Sequence, residues 1–473
     1  MPEPARVAID LGAESCRVSL LQWPGGKPRI DLIHRFSNGP VHRGDSLHWP
    51  LASILTGLEE GLRQCAALAP EGIASIAVDG WSVDYVRLAP DGCALREPFC
   101  YRDERTVASK QAVDALIPPL DLYRRTGTLP HRINTIYQLL ADPSSGIDAS
   151  APWVMLPEYV LYWLSGRRVA EYTNASHTGL VSLKTGDWDN ELFRALDLSV
   201  GAAPSIVPSG TVLGPLHGSL AQIEAFRGAQ IIAAATHDTA AAIAGISGDL
   251  SSSAYISSGT WSLVGATTAA PVTTQAALDA GYANIGAAGG GLLFHSLINS
   301  MWVLKKCMDA WAAQGRAWDI EELVAKAAES HPTGAFLDMD AETLMLDTDM
   351  PGRINAELKR LGFDAIADIA GNEPGFARVI FESLALRYAA ALANLEKMLG
   401  RKFDCAHMIG GAARNKLLIG LTGQRTGLRV EIGECESATV GNFAVQLAAS
   451  QAGGNAVTPD SIRNWARSLC DRG

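Results

Sequence analysis

The sharpest chemistry in this chain lies in the run ATHDTAAA, where His237 and Asp238 stand side by side between Thr236 and Thr239. Alanines around a carboxylate leave room for a ligand and lower the local dielectric, and both favour a working base. Phosphoryl transfer to an alcohol needs such a base within hydrogen-bond reach of the hydroxyl. The alternative is an aspartate that simply caps a helix beginning at Thr239 or Ala240.

Two small-residue turns could hold phosphate. In DLGAES, Gly12 allows a tight turn that points N–H groups at an anion, Ser15 can donate from its hydroxyl and Arg17 adds charge. Asp10, at a strand end, could hold Mg²⁺ through water. In SSGTWSL, Ser257, Ser258, Gly259 and Thr260 form a second turn rich in hydroxyls and free N–H groups. Gly410-Gly411, following a strand, permits close approach of a flat group such as adenine or ribose. Taken singly, each of these is also an ordinary turn. DGWSVDY (Trp81, Ser82, Asp84, Tyr85) and YRDERT (Arg102, Asp103, Arg105) combine an aromatic surface with carboxylates and forked Arg donors, as sugar sites do. Separately, each could be a salt-bridge cluster. There is no G-x-x-x-x-G-K-[ST] loop, no G-x-G-x-x-G run, no H-E-x-x-H and no G-x-S-x-G.

The elements that must position these residues follow from periodicity. Val7 to Leu11 predicts a buried strand, turning at Gly12 into a returning strand over Cys16 to Leu21. Leu51, Ile54, Leu55, Leu58, Leu62, Cys65 and Leu68 share one face of a helix over 51–68. Ile73 to Val78 predicts another strand, with Val83 to Leu88 pairing back on it and closing at the Pro90-Asp91-Gly92 turn. Helical patterns occupy much of 107–165. A second strand-rich block starts near Gln230, with a hairpin over Ala254 to Leu263 turning at Ser258-Gly259. The longest helical pattern runs over 376–399, then His407 to Ile409 leads into Gly410-Gly411, and 440–451 is a final helix. Strands alternating with helices give the α/β class. The glycine hairpin at Gly12 is echoed at Gly259, which suggests two related domains divided near residue 245.

The 473 residues exceed one ordinary core, so two large domains are expected. A hydrophobic share of 48% with 19% charged residues excludes disorder. The formal charge of -11 argues against a nucleic-acid binder or a basic membrane-surface protein. Eight scattered cysteines without a C-x-x-C pair fit reduced thiols in the cytoplasm. The opening residues carry no secretory pattern, and the longest small-apolar stretch is too short to span a bilayer.

Five segments in order resemble the sugar kinases of the FGGY family: VAIDLGAESCRVSL, SIAVDGWSVDYVRLAPDG with PFCYRDERT, ATHDTAAA, AYISSGTWSL and MIGGAARNKLL. The resemblance covers nearly the whole chain. It implies two actin-like (ribonuclease-H-like) ATPase domains flanking a cleft that holds ATP and a small sugar. Residues 1–244 would carry the sugar and the base, and residues 245–473 the nucleotide. Carried over by position, Asp238 is the base and His237, Thr239, Ser82 and Asn299 contact the sugar. Ala13, Glu14, Ser15, Cys16, Arg17 and Thr260 lie on the ATP phosphates, and Gly410-Gly411 lies near the adenosine. The implied reaction moves the γ-phosphate to the C1 hydroxyl of a ketose such as L-rhamnulose, by a cytoplasmic monomer or homodimer. L-fuculose, a pentulose, a polyol, or a non-catalytic regulator binding sugar and ATP are the alternatives. The family usually has glycine where this chain has Cys16 and Ser82, and a third glycine where it has Ala412.

Overall fold

The computed structural model describes residues 3–471. The strands that matter here are β1 (Ala5–Leu11), β2 (Ser15–Gln22), β3 (Arg29–Ser37), β4 (Ile73–Gly80), β5 (Tyr85–Arg87), β6 (Trp153–Met155), β7 (Thr211–Pro215), β8 (Gln230–Ala233), β9 (Ser253–Ser258), β10 (Trp261–Thr268), β11 (Leu292–Asn299), β12 (Cys405–Ile409) and β13 (Arg429–Ile432). The helices are α1 (Leu51–Leu68), α2 (Leu156–Ser165), α3 (Asp238–Ala244), α4 (Glu373–Leu399), α5 (Lys416–Thr426) and α6 (Ser437–Ala452). They fall into two compact units: residues 3–247, 268–294 and 437–471 in the first, and 248–267 with 295–436 in the second.

The first unit is built on a six-stranded sheet in the order β7-β8-β4-β1-β2-β3. The Gly12 turn closes β1 and β2 as an antiparallel hairpin, and β4 and β8 run parallel to β1 and to one another. Val7, Ile9 and Leu11 alternate onto one face, where they meet Val18, Leu20, Leu58 and Leu62, the last two from α1. Leu156, Val160, Leu161 and Leu164 of α2 complete that layer. On the opposite face Ala8, Ala77 and Ile232 pack against Val440, Phe443, Ala444, Leu447 and Ala448 of α6. Cover on both faces of the central parallel strands explains why β1 is buried along its whole length and β4 along nearly all of it.

The second unit repeats the plan. β9 and β10 form an antiparallel hairpin, with Ser258 opposite Ser262, and β12 lies parallel to β9 on its other side, followed by β13. The helix predicted over 376–399 is α4, 27 residues long, and its buried stripe includes Phe376, Val379, Ile380, Leu384, Leu392 and Leu395.

One expected pairing is corrected. Tyr85–Arg87 pairs with Trp153–Met155 instead of turning back on β4. Val83 takes φ 72°, outside the extended region, and redirects the chain. Its carbonyl then accepts hydrogen bonds from Thr135 Oγ1 at 2.7 Å and Gln138 Nε2 at 3.1 Å, which fixes the new course. Cys16, Cys65, Cys93, Cys100, Cys307, Cys405 and Cys435 are free thiols, as expected.

Candidate active site

Three carboxylates gather at the C-terminal ends of the parallel strands of the first unit. Asp10 ends β1 and Asp79 lies opposite it in register on β4. Gly80 bridges His237, placing the segment after β8 beside them, and the Gly80 N–H donates to the Thr236 carbonyl at 3.0 Å. Asp10 is held by Arg17 Nη1 at 2.7 Å. Asp79 is 0% exposed, and Asn442 Nδ2 donates to its Oδ2 at 2.7 Å. Its Oδ1 has no hydrogen-bond partner among the described residues.

The electrostatics follow from that crowding. Burial first, and then the charge of Asp10, pushes Asp79 well above the usual carboxylate range, with Asp238 adding to it. Burial and Asp10 likewise raise Asp238 to about 7, against the pull of the Thr239 N–H and hydroxyl. Buried Asp10 and Asp79, the latter with an unpartnered oxygen, form a hard-oxygen pair that fits Mg²⁺, beside Asp238, whose side chain is 44% exposed.

The hairpin beside them is shaped for backbone contacts. A Cβ on Gly12 would overlap the Ser15 carbonyl oxygen, so this turn requires glycine. Asn38 secures the loop through Nδ2 to the Gly12 carbonyl at 2.9 Å and its own N–H to Glu14 at 2.9 Å. Glu14 is exposed, and Ala13, Ser15 and Arg17 are partly so. Cys16 is 0% exposed with its thiol pushed up to about 12 by burial and Asp10, so the thiol is unreactive.

Asp238 opens α3 with His237 as its N-cap; His237 Nδ1 accepts from the Thr239 N–H at 3.0 Å, and Asp238 Oδ1 accepts from it at 2.6 Å. Beneath this turn lie two buried acids that no sequence motif marked. Glu158 accepts from Thr236 Oγ1 at 2.6 Å and Asn174 Nδ2 at 2.9 Å, while Glu171 accepts from the Thr236 N–H at 3.0 Å and Ser209 Oγ at 2.6 Å. Burial raises Glu158 to about 7. A folded-state pKa above the unfolded value of about 4.3 gives stability that is present below that value and lost as pH rises through about 7, on the order of 3 kcal/mol in all. Chemical denaturation of Glu158→Gln should therefore show a flatter decline between about pH 4.5 and about pH 7 than the wild type. Parallel curves would rule out this role.

The expected sugar wall divides in two. Trp81 and Ser82 are 6% and 8% exposed, and Trp81 stacks on Trp49 with ring centroids 4.3 Å apart. Asp84 is wholly buried and accepts from Trp49 Nε1 at 2.6 Å, Trp81 Nε1 at 2.9 Å and Gln138 Nε2 at 3.0 Å. Its carboxylate is spent fixing the two indoles, and burial raises it to about 6. Asp103 and Arg105 are also engaged, Asp103 with the Leu47 N–H at 2.7 Å and Arg105 with Asp142 at 3.0 Å. Arg102 is exposed and bonds Tyr101 Oη at 3.2 Å.

In the second unit, Gly259 N–H donates to the Trp261 carbonyl at 2.9 Å and closes the hairpin, leaving Thr260 exposed at its tip. Gly410 takes φ 82°, and a Cβ there would sit 2.7 Å from the Ser258 carbonyl oxygen. The fold thus brings the Ser258 end of the hairpin against Gly410, with open space over Gly411. Under the hairpin, Ser262 Oγ lies 2.8 Å from Ser258, 2.7 Å from Ser300 and 2.6 Å from Tyr388, a buried hydroxyl cluster that anchors it to α4. Asn299 is buried in the same unit; its Nδ2 donates to the Leu344 carbonyl at 3.0 Å and its Oδ1 is unpartnered among the described residues.

A glycine hairpin beside parallel strands occurs in each unit, in keeping with the two actin-like ATPase domains that the family resemblance implies. The chain superposes on the ligand-bound xylulose kinase of Lactobacillus acidophilus with a TM-score of 0.78 at 17% identity, covering 99% of this chain and 96% of that one. It matches a glycerol kinase of Plasmodium falciparum with ADP at a TM-score of 0.74 and 14% identity, covering 98% and 92%. Residues 6–245 match the N-terminal domain, and residues 254–450 the C-terminal domain, of the FGGY family of carbohydrate kinases. The chain is 32% identical to a rhamnulokinase of Bacteroides thetaiotaomicron over 93% of its length and 89% of the relative's, and 31% identical to that of Bacillus subtilis over 94% and 90%. The protein belongs to the FGGY family of carbohydrate kinases. It is an ATP-dependent sugar kinase built of two actin-like ATPase domains. No helix among the described residues is long and apolar enough to cross a membrane.

Proposed function

We propose that this kinase transfers the γ-phosphate of ATP to the C1 hydroxyl of a ketose of the L-rhamnulose type, with Asp238 as the general base. The observation that carries the sugar class is similarity to rhamnulokinases along 93% of the chain. The base assignment is supported by a carboxylate raised to about 7 at a helix start beside Asp10 and Asp79.

In this reading residues 1–244 supply the sugar site and base, and residues 245–473 the nucleotide site. Asp238 takes the hydroxyl proton as the sugar oxygen attacks phosphorus. Backbone N–H groups of residues 13–17 and the Arg17 guanidinium hold phosphate oxygens, as do Gly259 and Thr260, and the Gly410-Gly411 turn lies against the adenosine. Trp81, Ser82, His237, Thr239, Arg102 and Asn299 orient the sugar, and Asp84 acts through Trp81. Asp10 and the free Oδ1 of Asp79 would hold Mg²⁺, which neutralises phosphate charge when bound. Scattered free thiols such as Cys65, Cys100 and Cys307 support a reducing, cytoplasmic setting.

A panel of ketoses and polyols assayed by ADP release decides the substrate. L-Rhamnulose should give the highest kcat/KM, with L-fuculose and pentuloses at least tenfold lower, roughly the discrimination that one misplaced hydroxyl produces in a hydrogen-bonding site. A preferred pentulose or polyol would replace the ketose assignment. Sugar and ATP binding without ADP release would make the protein a sensor.

A further inference from the structure

Ser82 and His237 meet on a third side chain, His177, which lies in the turn Ser176–Thr178. His177 Nδ1 is 2.9 Å from His237 Nε2 and 2.7 Å from Ser82 Oγ. The Thr239 N–H sets the proton arrangement taken for this group; it is shared with Asp238 Oδ1 at 2.6 Å, an oxygen that lies 3.3 Å from His237 Nδ1. The Thr239 backbone N–H points at His237 Nδ1 at 3.0 Å, and a backbone amide nitrogen cannot accept, so that ring nitrogen is bare and the proton sits on Nε2. His237 Nε2–H then donates to His177 Nδ1. The proton of His177 is then on its own Nε2, and the Ser82 hydroxyl, 2.7 Å away, shares the single Nδ1 lone pair with His237 Nε2–H.

In this arrangement each ring carries a single proton. Burial, and then the neighbouring His237 and His131, push His177 down to about 3. Two functions of defined polarity remain. His177 Nε2–H is a donor with no hydrogen bond among the described residues, on a partly exposed side chain. Ser82 Oγ has already given its hydrogen and can only accept. An uncharged donor beside an uncharged acceptor, next to the Trp81 indole, suits neither an anion nor a cation. It suits neighbouring hydroxyls, one donating and one accepting.

We propose that His177 and Ser82 read two adjacent hydroxyls of the ketose, one accepting from His177 Nε2–H and its neighbour donating to Ser82 Oγ. His177 also fixes the ring of His237, the residue before the base. This rests on the ketose-kinase reading above.

The test couples enzyme variants to substrate analogues. Wild type, His177→Phe and His177→Gln are assayed in the full-length protein with the best ketose and with analogues each lacking one hydroxyl. For the wild type, removing the hydroxyl read by His177 should lower kcat/KM about tenfold or more, the span of a hydrogen bond whose buried partner is left unmatched. In His177→Phe that analogue and the parent should differ by no more than about twofold, because the donor is gone, while the other analogues keep their wild-type ratios. The KM for ATP should be unchanged, and His177→Gln, which restores an N–H near the Nε2 position, should recover part of the lost discrimination. If His177→Phe does not fold, Ser82→Ala runs the same cycle on the neighbouring hydroxyl. A fall spread evenly over all analogues, or none, overturns the assignment of these residues even in an active ketose kinase. A wild type that phosphorylates no ketose overturns the underlying reading, and this proposal with it.

Discussion

Asp238→Asn should lower kcat by two to four orders of magnitude, the usual contribution of a general base, while leaving the dissociation constant for ATP within about twofold. The substitution is close to isosteric. The amide oxygen still accepts from the Thr239 N–H, which Asp238 Oδ1 now takes at 2.6 Å, so the start of α3 is kept. What is lost is a group able to receive a proton. The same change also removes one of two carboxylates, Asp79 and Asp238, that burial and the charge of Asp10 hold above their usual range. The melting temperature of the variant should therefore be equal to or above that of the wild type. Lost activity with preserved or raised stability is the pattern of a residue kept for chemistry at a structural cost. Wild-type turnover in Asp238→Asn would end the assignment, and lost turnover with a lowered melting temperature would make Asp238 a structural residue.

What could be read from the sequence was local. The Gly12 and Gly259 hairpins, the amphipathic helix Leu51–Leu68 and the THDTAAA turn each declare themselves within a few residues, through period, glycine or small side chains. What could not be read depends on distant partners. Asp79 looks like a strand-end residue until the parallel register sets it opposite Asp10 and α6 delivers Asn442. Glu158, Glu171 and His177 carry no motif, and their meaning comes from Thr236, Ser82 and His237, 60 or more positions away in several of these pairs. Asp84 shows the reverse: its composition resembles that of a sugar ligand, yet the fold spends it on Trp49 and Trp81. Chain order also conceals that residues 437–471 pack in the same compact unit as the first strands. Val83 to Leu88 misled because alternation predicts a strand but not its partner.

The helix that supplies Asn442 makes a second large effect foreseeable. At Gly441 the backbones of α3 and α6 touch: a Cβ would overlap the Ala241 carbonyl oxygen and lie 2.7 Å from the Gly245 nitrogen. Nothing at this crossing can swing aside, since the obstacles are main-chain atoms of α3 and not the ends of flexible side chains. Gly245 is equally confined by Ser437, whose Oγ donates to the Ala242 carbonyl at 2.7 Å. Gly441→Val must push the two helices apart, at a cost at or above the upper end of ordinary overpacking, about 3 kcal/mol. That displacement acts on the site from two sides, because α3 begins at Asp238 and residue 442 is the donor to Asp79. The variant should melt roughly 5–10 °C lower by calorimetry, and its folded fraction should turn over at least tenfold more slowly, since a displacement of about 1 Å is enough to misalign a reacting group. Gly420→Ala is the matched control. Gly420 is exposed on α5, an added methyl there would meet no atom within 4 Å, and this change should be neutral or stabilising by up to about 1 kcal/mol. If Gly441→Val melted with the wild type and kept its rate, the helix crossing could not be what holds Asp79 and Asp238 in register.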